Sequence, residues 1–480
     1  MFLHFCNSTR VHFQIDELSH YFVPMNWETI FTTQRIGQKE TTQGNRSRFQ
    51  QDFDRIIFSS SFRRLQNKTQ VFPLPGSTFV HNRLTHSLEV ASVGRSLGSM
   101  VGERLSSEMD RNTAGYEFYR YELANVIAAG CLAHDIGNPA FGHSGEKAIS
   151  TYFIDNAQLL IDGKTLISFF SKEEWADISN FEGNANAVRI LTHQFKGKLM
   201  GGLGLTYTTI ASILKYPCGS GSVNKGYKHR KKYGFFQSEK TVIKDIAERL
   251  GMIVDNSDEL IYKRHPFVYL VEAADDICYS IIDMEDAHRL GILSHELVKR
   301  SFIHVIAALE KSEEERTVRT CEKIQDENER ISYLRAKAIN LLTLKAADIF
   351  WENRQSIIEG NFNDTLVGVI EKKYNALNEV MKISADKIYN HESVLEIEIA
   401  GYNVMGELLA LFIPPLLKQK ADHKDEKVLK LFPKQYTEFE ETASPYLKVM
   451  NAFDLISGMT DLYATELYRK LKGIEIPPYR

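Results

Sequence analysis

Two adjacent aspartates sit inside one of the most apolar stretches of the chain. Pro266–Leu290, which contains FVYLVEAADDICYSIIDMEDA, reads as a single long helix. Asp275 lies there among residues that a folded chain buries. A buried carboxylate is costly unless a cation pairs with it or it binds a metal. The fold must therefore bring either an arginine or metal-coordinating partners to Asp275 from elsewhere in the sequence. Asp275, Tyr279 and Asp283 follow an i, i+4, i+8 spacing, which aligns them on one stripe of the helix.

The rest of the chain also has a helical rhythm. Phe49, Phe53, Ile56, Ile57 and Phe62 recur at spacings of three and four and predict one amphipathic helix. Glu122–His134 is an Ala-rich apolar helix, which Asn138-Pro139 follows as a breaker. His295–Glu359 is again helical. Val394–Ile399 alternates apolar and acidic residues and predicts a strand. The expected fold is all-α with a few short strands, arranged as a core over 25–295 and a helical C-terminal portion over 296–480. Residues 1–24 lack periodicity and read as an N-terminal extension or as translation from an upstream start.

Partners for Asp275 are visible. His86 lies in HNRLTHSLEV, and His134 and Asp135 end the apolar helix, where a rigid frame can project ligands into a pocket. Two imidazoles and two carboxylates suit a moderately hard divalent cation that also grips phosphate, which points to a metal-dependent phosphohydrolase. The bland reading of Asp275, a buried pair with an arginine, stays open. His143 and Glu146 in GHSGE are three apart and share a helical face. A carboxylate beside an imidazole fixes its tautomer and raises its pKa, as a general acid requires; an ordinary contact in a helix's first turn gives the same spacing. Gly142 and Gly145 would let backbone approach a ligand. Arg83, one turn before His86, suits a phosphate oxygen, and Lys215 and Lys232 suit further phosphates.

The segment 217–236, PCGSGSVNKGYKHRKKYGFF, interleaves Lys225, Lys228, Arg230, Lys231 and Lys232 with Tyr227, Tyr233, Phe235 and Phe236. It reads as a solvated charged face, as a mobile basic loop beside a phosphate site, or as a nucleic-acid contact. The net charge of -4 over 480 residues gives no global attraction to nucleic acid. No apolar run approaches the roughly 20 residues that span a bilayer; Leu408–Leu417 is the greasiest, and Pro414-Pro415 is expected to break it. Five cysteines without a CxxC spacing argue for reduced thiols in a cytoplasm.

Taken together, RRLQNKTQVF (63–72), NRLTHSLEV, HDIGNPAFGHSGE, NFEGNANAVRIL (180–191), EAADDICY and ISGMTDLYA (456–464) resemble the HD-domain deoxyguanosine triphosphate triphosphohydrolases from about Met25 onward. The resemblance implies an HD-type helical fold. It also implies hydrolysis of a deoxynucleoside triphosphate, dGTP foremost, to a deoxynucleoside and inorganic triphosphate. By motif position it implies His86, His134, Asp135 and Asp275 as ligands of one divalent cation per subunit, Mg²⁺ or Mn²⁺. His143 becomes the catalytic acid and Glu146 its partner. Gln70, Tyr279 and Asp283 go to the sugar and its 3′-hydroxyl, Val71 to the place where a 2′-hydroxyl would clash, and Arg83, Lys215 and Lys232 to the triphosphate. Glu398 in LEIEIAGY is placed to accept from guanine, or is an exposed strand residue. Near KVLKLFPKQY the family pattern leads one to expect arginines; Lys427, Lys430 and Lys434 stand there instead. The resemblance further implies a homo-oligomer such as a hexamer and, for some members, single-stranded DNA binding. Two other readings are a phosphodiesterase or 5′-nucleotidase of the same superfamily, and a nucleotide-binding or DNA-binding scaffold with a silent site.

Overall fold

The computed structural model describes residues 25–38, 46–72, 80–195, 200–437 and 443–475; the reading of residues 1–24, and with it Cys6, lies outside them. The fold is all-α: helices account for 67% of the structure, and among the described residues the strands form two small antiparallel hairpins. These pair Leu160–Ile161 with Lys164–Thr165, and Val254–Asn256 with Ile261–Tyr262.

At the centre lies the helix Leu123–Ala133, whose residues from Val126 onward are all buried. It packs against Arg83–Ser107, Arg48–Ile57 and Tyr207–Ile213, while Val268–Arg289 packs on Arg83–Ser107 and on Glu327–Glu352. His86, His134 and Asp275 thus ride on elements that share one core. A second apolar cluster joins Gly142–Asp155 to Glu392–Leu417 and Pro445–Ser457. Arg189, fully buried, ties the middle of the chain to its C-terminal part. Its guanidinium makes paired bonds to Asp454 (2.8 and 2.7 Å) and a third to Glu239 (2.9 Å), a fork geometry that only arginine supplies.

Three local expectations change. The Phe49–Phe62 pattern is two helices, Arg48–Ile57 and Ser60–Arg64, because Ser59 Oγ accepts from the Phe62 amide and starts a new one. Val394–Ile399 is not a strand but the first turns of Glu392–Leu417. A six-residue pattern also fits a helix whose buried positions continue through Gly401, Val404, Met405, Leu408 and Phe412. Pro414 and Pro415 do not break that helix; they lie in its last turn, which runs on to Leu417. By length and composition it could cross a membrane, yet half of its apolar window is buried inside the chain. The cysteines within the described residues, 131, 218, 278 and 321, are all free and buried.

His265 is wholly buried, donates from Nε2 to the Ile30 carbonyl (2.8 Å) and accepts from the Phe267 amide (3.3 Å). Burial pulls its pKa down to about 4, which the Ile30 bond only partly opposes. The unfolded chain therefore takes up a proton below pH ~6.5 that the folded chain refuses. This contribution to stability is intact above that pH and is lost towards pH 4. We expect denaturant unfolding to show His265→Gln losing about 2 kcal/mol less than wild type between pH 7 and 4.5; equal losses would contradict this.

Candidate functional site

A cavity of about 570 Å³ opens where these helices meet. His134 and Asp275 line it, and their ligand atoms lie within 4.8 Å of one another and of one on buried His86. Asp275 Oδ1 is 3.2 Å from His86 Nε2 and 3.4 Å from His134 Nε2. The Asp275 carboxylate, half-buried at the cavity, is thus answered by two imidazoles and not by an arginine. His134 Nδ1 donates to the Cys131 carbonyl at 2.6 Å, which fixes the ring and turns Nε2 toward the cluster. That Nε2 is buried and has no hydrogen-bond partner among the described residues. Burial pulls the His134 imidazole down, but Asp135 and Asp275 outweigh it and hold it at about 9. Burial also opposes the Asp275 charge, and the two histidines still keep its carboxyl well below the usual range. Negative charge that attracts a proton so strongly attracts a divalent cation in the same way, so the donor set fits such an ion.

Asp135 stands apart from this trio. Its Oδ2 accepts from Arg83 Nη1 (2.7 Å) and its Oδ1 from Asn138 Nδ2 (2.5 Å), with His134 Nε2 at 3.6 Å. Arg83 reaches it because Gly142, with φ +56°, has no Cβ; one built there would lie 2.5 Å from Arg83 Nη2. Gly142 thus makes room for a side chain of the protein itself.

On one wall, His143 stands exposed while its Nδ1 is 2.7 Å from Glu146 Oε2. Glu146 is buried, and its Oε1 accepts from the Gly183 amide (2.7 Å). Burial pushes this carboxyl up, but His143, Lys232 and the Gly183 amide together hold it below the usual range. The cations line the cavity already partnered. Lys215 Nζ is 3.3 Å from Glu272, which Arg264 also grips at 2.8 Å, and Lys232 Nζ is 3.0 Å from Glu182. Burial opposes the Lys215 charge, yet Glu272 and Asp276 raise its pKa above the ordinary lysine value. Asp276 itself is pushed up to about 7 by burial, with Lys215 opposing.

Gln70, Val71 and Tyr279 also line the cavity, and Gln70 Oε1 is buried without a partner among the described residues. Asp283 does not line it. Tyr389 stands between, donating to Asp283 Oδ2 (2.7 Å) with its ring stacked on Tyr279 (centroids 5.8 Å, planes 17° apart). Burial pushes the Asp283 carboxyl up to about 7. Glu398 lines the cavity from an exposed position on the helix Glu392–Leu417.

The 217–236 loop differs from the stacking surface its aromatic residues suggest. Tyr233, Phe235 and Phe236 are buried anchors, His229 is buried against Asp255, and Tyr227 alone among those four aromatics is exposed. The anchored loop presents Lys231 and Lys232 to the cavity. Sequence reasoning did not single out Tyr389, Glu272, Asp276, Asn138 or Lys231 as wall residues with a role. Only Asp276 and Glu272 carried a signal, as further carboxylates on a buried helix.

An HD domain matches residues 83–213. A "deoxyguanosinetriphosphate triphosphohydrolase-like protein" of Synechocystis sp. is 37% identical over 459 residues, covering 94% of this chain and all of the relative. One of the same description from Listeria monocytogenes is 32% identical over 481 residues, with the same coverage. A "deoxyguanosinetriphosphate triphosphohydrolase" of Yersinia enterocolitica is 30% identical over 494 residues, covering 89% of this chain and 94% of the relative.

Asp275→Asn removes the charge that His86 and His134 surround. We expect Mn²⁺ affinity, measured by isothermal titration calorimetry, to fall by at least about tenfold, since ligands and their immediate supports each matter on that scale. Unchanged affinity would place the cation elsewhere.

Proposed function

The chain belongs to the HD-domain deoxyguanosinetriphosphate triphosphohydrolase family, and we propose that it hydrolyses deoxynucleoside triphosphates, dGTP foremost, to a deoxynucleoside and inorganic triphosphate. One observation carries this reading: a single cavity joins His134 and Asp275, which cluster with buried His86, to an exposed imidazole backed by a buried carboxylate.

His86, His134, Asp275 and, beside them, Asp135 would hold one divalent cation, Mg²⁺ or Mn²⁺. When bound, such an ion polarises a phosphate oxygen and lowers the pKa of a water. The protein's own groups do the rest. Glu146 is kept ionised and holds His143 by Nδ1, so the other ring nitrogen is free to give a proton to the departing 5′-oxygen. Arg83, Lys215 and Lys232 hold the triphosphate. Their carboxylate partners spare the cavity a run of unpaired positive charge, and a phosphate can share each cation without moving it far. This is positioning more than covalent chemistry.

The sugar end follows the same logic. Gln70 Oε1, an unpartnered buried acceptor, suits the 3′-hydroxyl. Tyr279 lies against the ring, with Asp283 acting through Tyr389. Val71 fills the volume a 2′-hydroxyl would need. Glu398 offers two acceptor oxygens that match the N1–H and amino group of guanine, donors that adenine does not present in that pattern. We extend the proposal to a homo-oligomer on the strength of the resemblance. The exposed Lys225, Lys228 and Lys231 form the edge at which a single strand of DNA would meet the chain.

Two variants test the assignment. His143→Ala should lower kcat by about 100-fold or more while leaving Mn²⁺ affinity intact; unchanged turnover would remove His143 from the reaction. Val71→Ala should narrow the dGTP-to-GTP ratio of kcat/KM by about tenfold, and an unaltered ratio would contradict the sugar gate.

A further inference from the structure

The motif ISGMTDLYA near the C-terminus has no part in the chemistry above, yet its Asp461 reaches the site. Asp461 opens the helix Asp461–Leu471 and is buried. Its Oδ2 accepts from the Thr69 amide at 2.8 Å and its Oδ1 from the Phe141 amide at 2.9 Å. Gln70 and Val71 directly follow Thr69; Gly142 and His143 directly follow Phe141. One carboxylate thus spans the sugar edge and the turn that carries the proposed acid.

That turn needs outside support. Phe141 sits at φ +59°, in the left-handed region that a bulky residue rarely occupies. It also stands at the N-cap of Gly142–Asp155, where it has no side-chain oxygen to offer. Asp461 takes up the Phe141 amide, and Gly401 makes room for the residue, since a Cβ built there would lie 2.7 Å from that of Phe141. A second tie runs parallel. Lys68 Nζ donates to the Ser457 carbonyl at 2.7 Å and to the Asn138 carbonyl at 2.5 Å. The C-terminal motif is thereby joined twice to both walls of the cavity.

We propose that Asp461 is a positioning residue: it fixes the separation between the Gln70–Val71 edge and the Phe141–His143 turn, so that sugar and acid sit in register. The catalytic half of this rests on the function proposed above; the clamp itself does not. Asp461→Asn is the informative change. An amide keeps the shape but has one acceptor oxygen, and its NH₂ then faces a backbone N–H.

The test measures Asp461→Asn for hydrogen exchange in segments 65–72 and 137–146, Mn²⁺ affinity, and kcat and KM with dGTP and GTP. The expected result is faster exchange in both segments and unchanged Mn²⁺ affinity. It also includes a fall in kcat of about tenfold or more that KM does not mirror, and weaker dGTP-over-GTP selection, as a small misplacement of reacting groups produces. Wild-type exchange in either segment, or a kcat loss that only tracks the folded fraction with selection unchanged, would overturn the proposal. If wild type turns over no deoxynucleoside triphosphate while both segments still loosen, the clamp stands and the substrate reading falls. Should Asp461→Asn not fold, exchange in the unaltered protein decides: the Thr69 and Phe141 amides are expected to be protected together, and rapid exchange at either would refute the clamp.

Discussion

A row of carboxylates on one buried helix has to be neutralised, and much of the molecule is arranged around doing so. Val268–Arg289 turns Glu272, Asp283 and Asp286 away from solvent and holds Asp275 half-buried at the cavity. Arg264 and Lys215 answer Glu272, His86 and His134 answer Asp275, and Tyr389 donates to Asp283. His81 answers Asp286 at 2.8 Å; burial opposes its charge, but Asp286 and Glu89 hold its pKa at about 10. Removing one partner from such a pair leaves an uncompensated buried charge, which typically costs about 3–5 kcal/mol. The partners come from several separate segments of the chain, so the neutralising contacts also set where those segments lie.

Most of these groups balance within the protein. Around Asp275 the balance is incomplete: Asp135 and Asp276 crowd the same region, and the His134 Nε2 is left without a hydrogen bond. That residual negative potential is what a divalent cation needs. The cations set back from it, each resting on a carboxylate, are what a polyphosphate needs. In the function proposed above, binding at this site would be an exchange of partners among part-buried groups, where charge interactions are stronger than in open solvent.

Local patterns in the sequence are faithful where chemistry and periodicity coincide. The long apolar helix bearing Asp275, the apolar helix ending in His134, and the His143–Glu146 pair at i, i+3 all stand in the structure much as their spacing implies. The stripe of Asp275, Tyr279 and Asp283 is also real, but Tyr389 slides between Asp283 and the cavity, and nothing near Tyr389 in the sequence announces that. Alternation over Val394–Ile399 is too short to outweigh the helical period that follows it. Aromatic residues among lysines at 217–236 look alike whether they stack on bases or anchor a loop; burial of Phe235 and Phe236 decides for the anchor. Asp461 meets Thr69 across 392 positions, a separation no local pattern can encode.

The central claim is that one cation-binding cavity releases the triphosphate in one piece. Phosphorus NMR of the products, after incubating the purified chain with each deoxynucleoside triphosphate and Mg²⁺ or Mn²⁺, reads this directly. The account predicts intact inorganic triphosphate with the free deoxynucleoside, fastest from dGTP. Orthophosphate or pyrophosphate as the first product would contradict it, because a phosphoanhydride bond would then break in place of the bond from the α-phosphorus to the 5′-oxygen, and His143 would face the wrong oxygen.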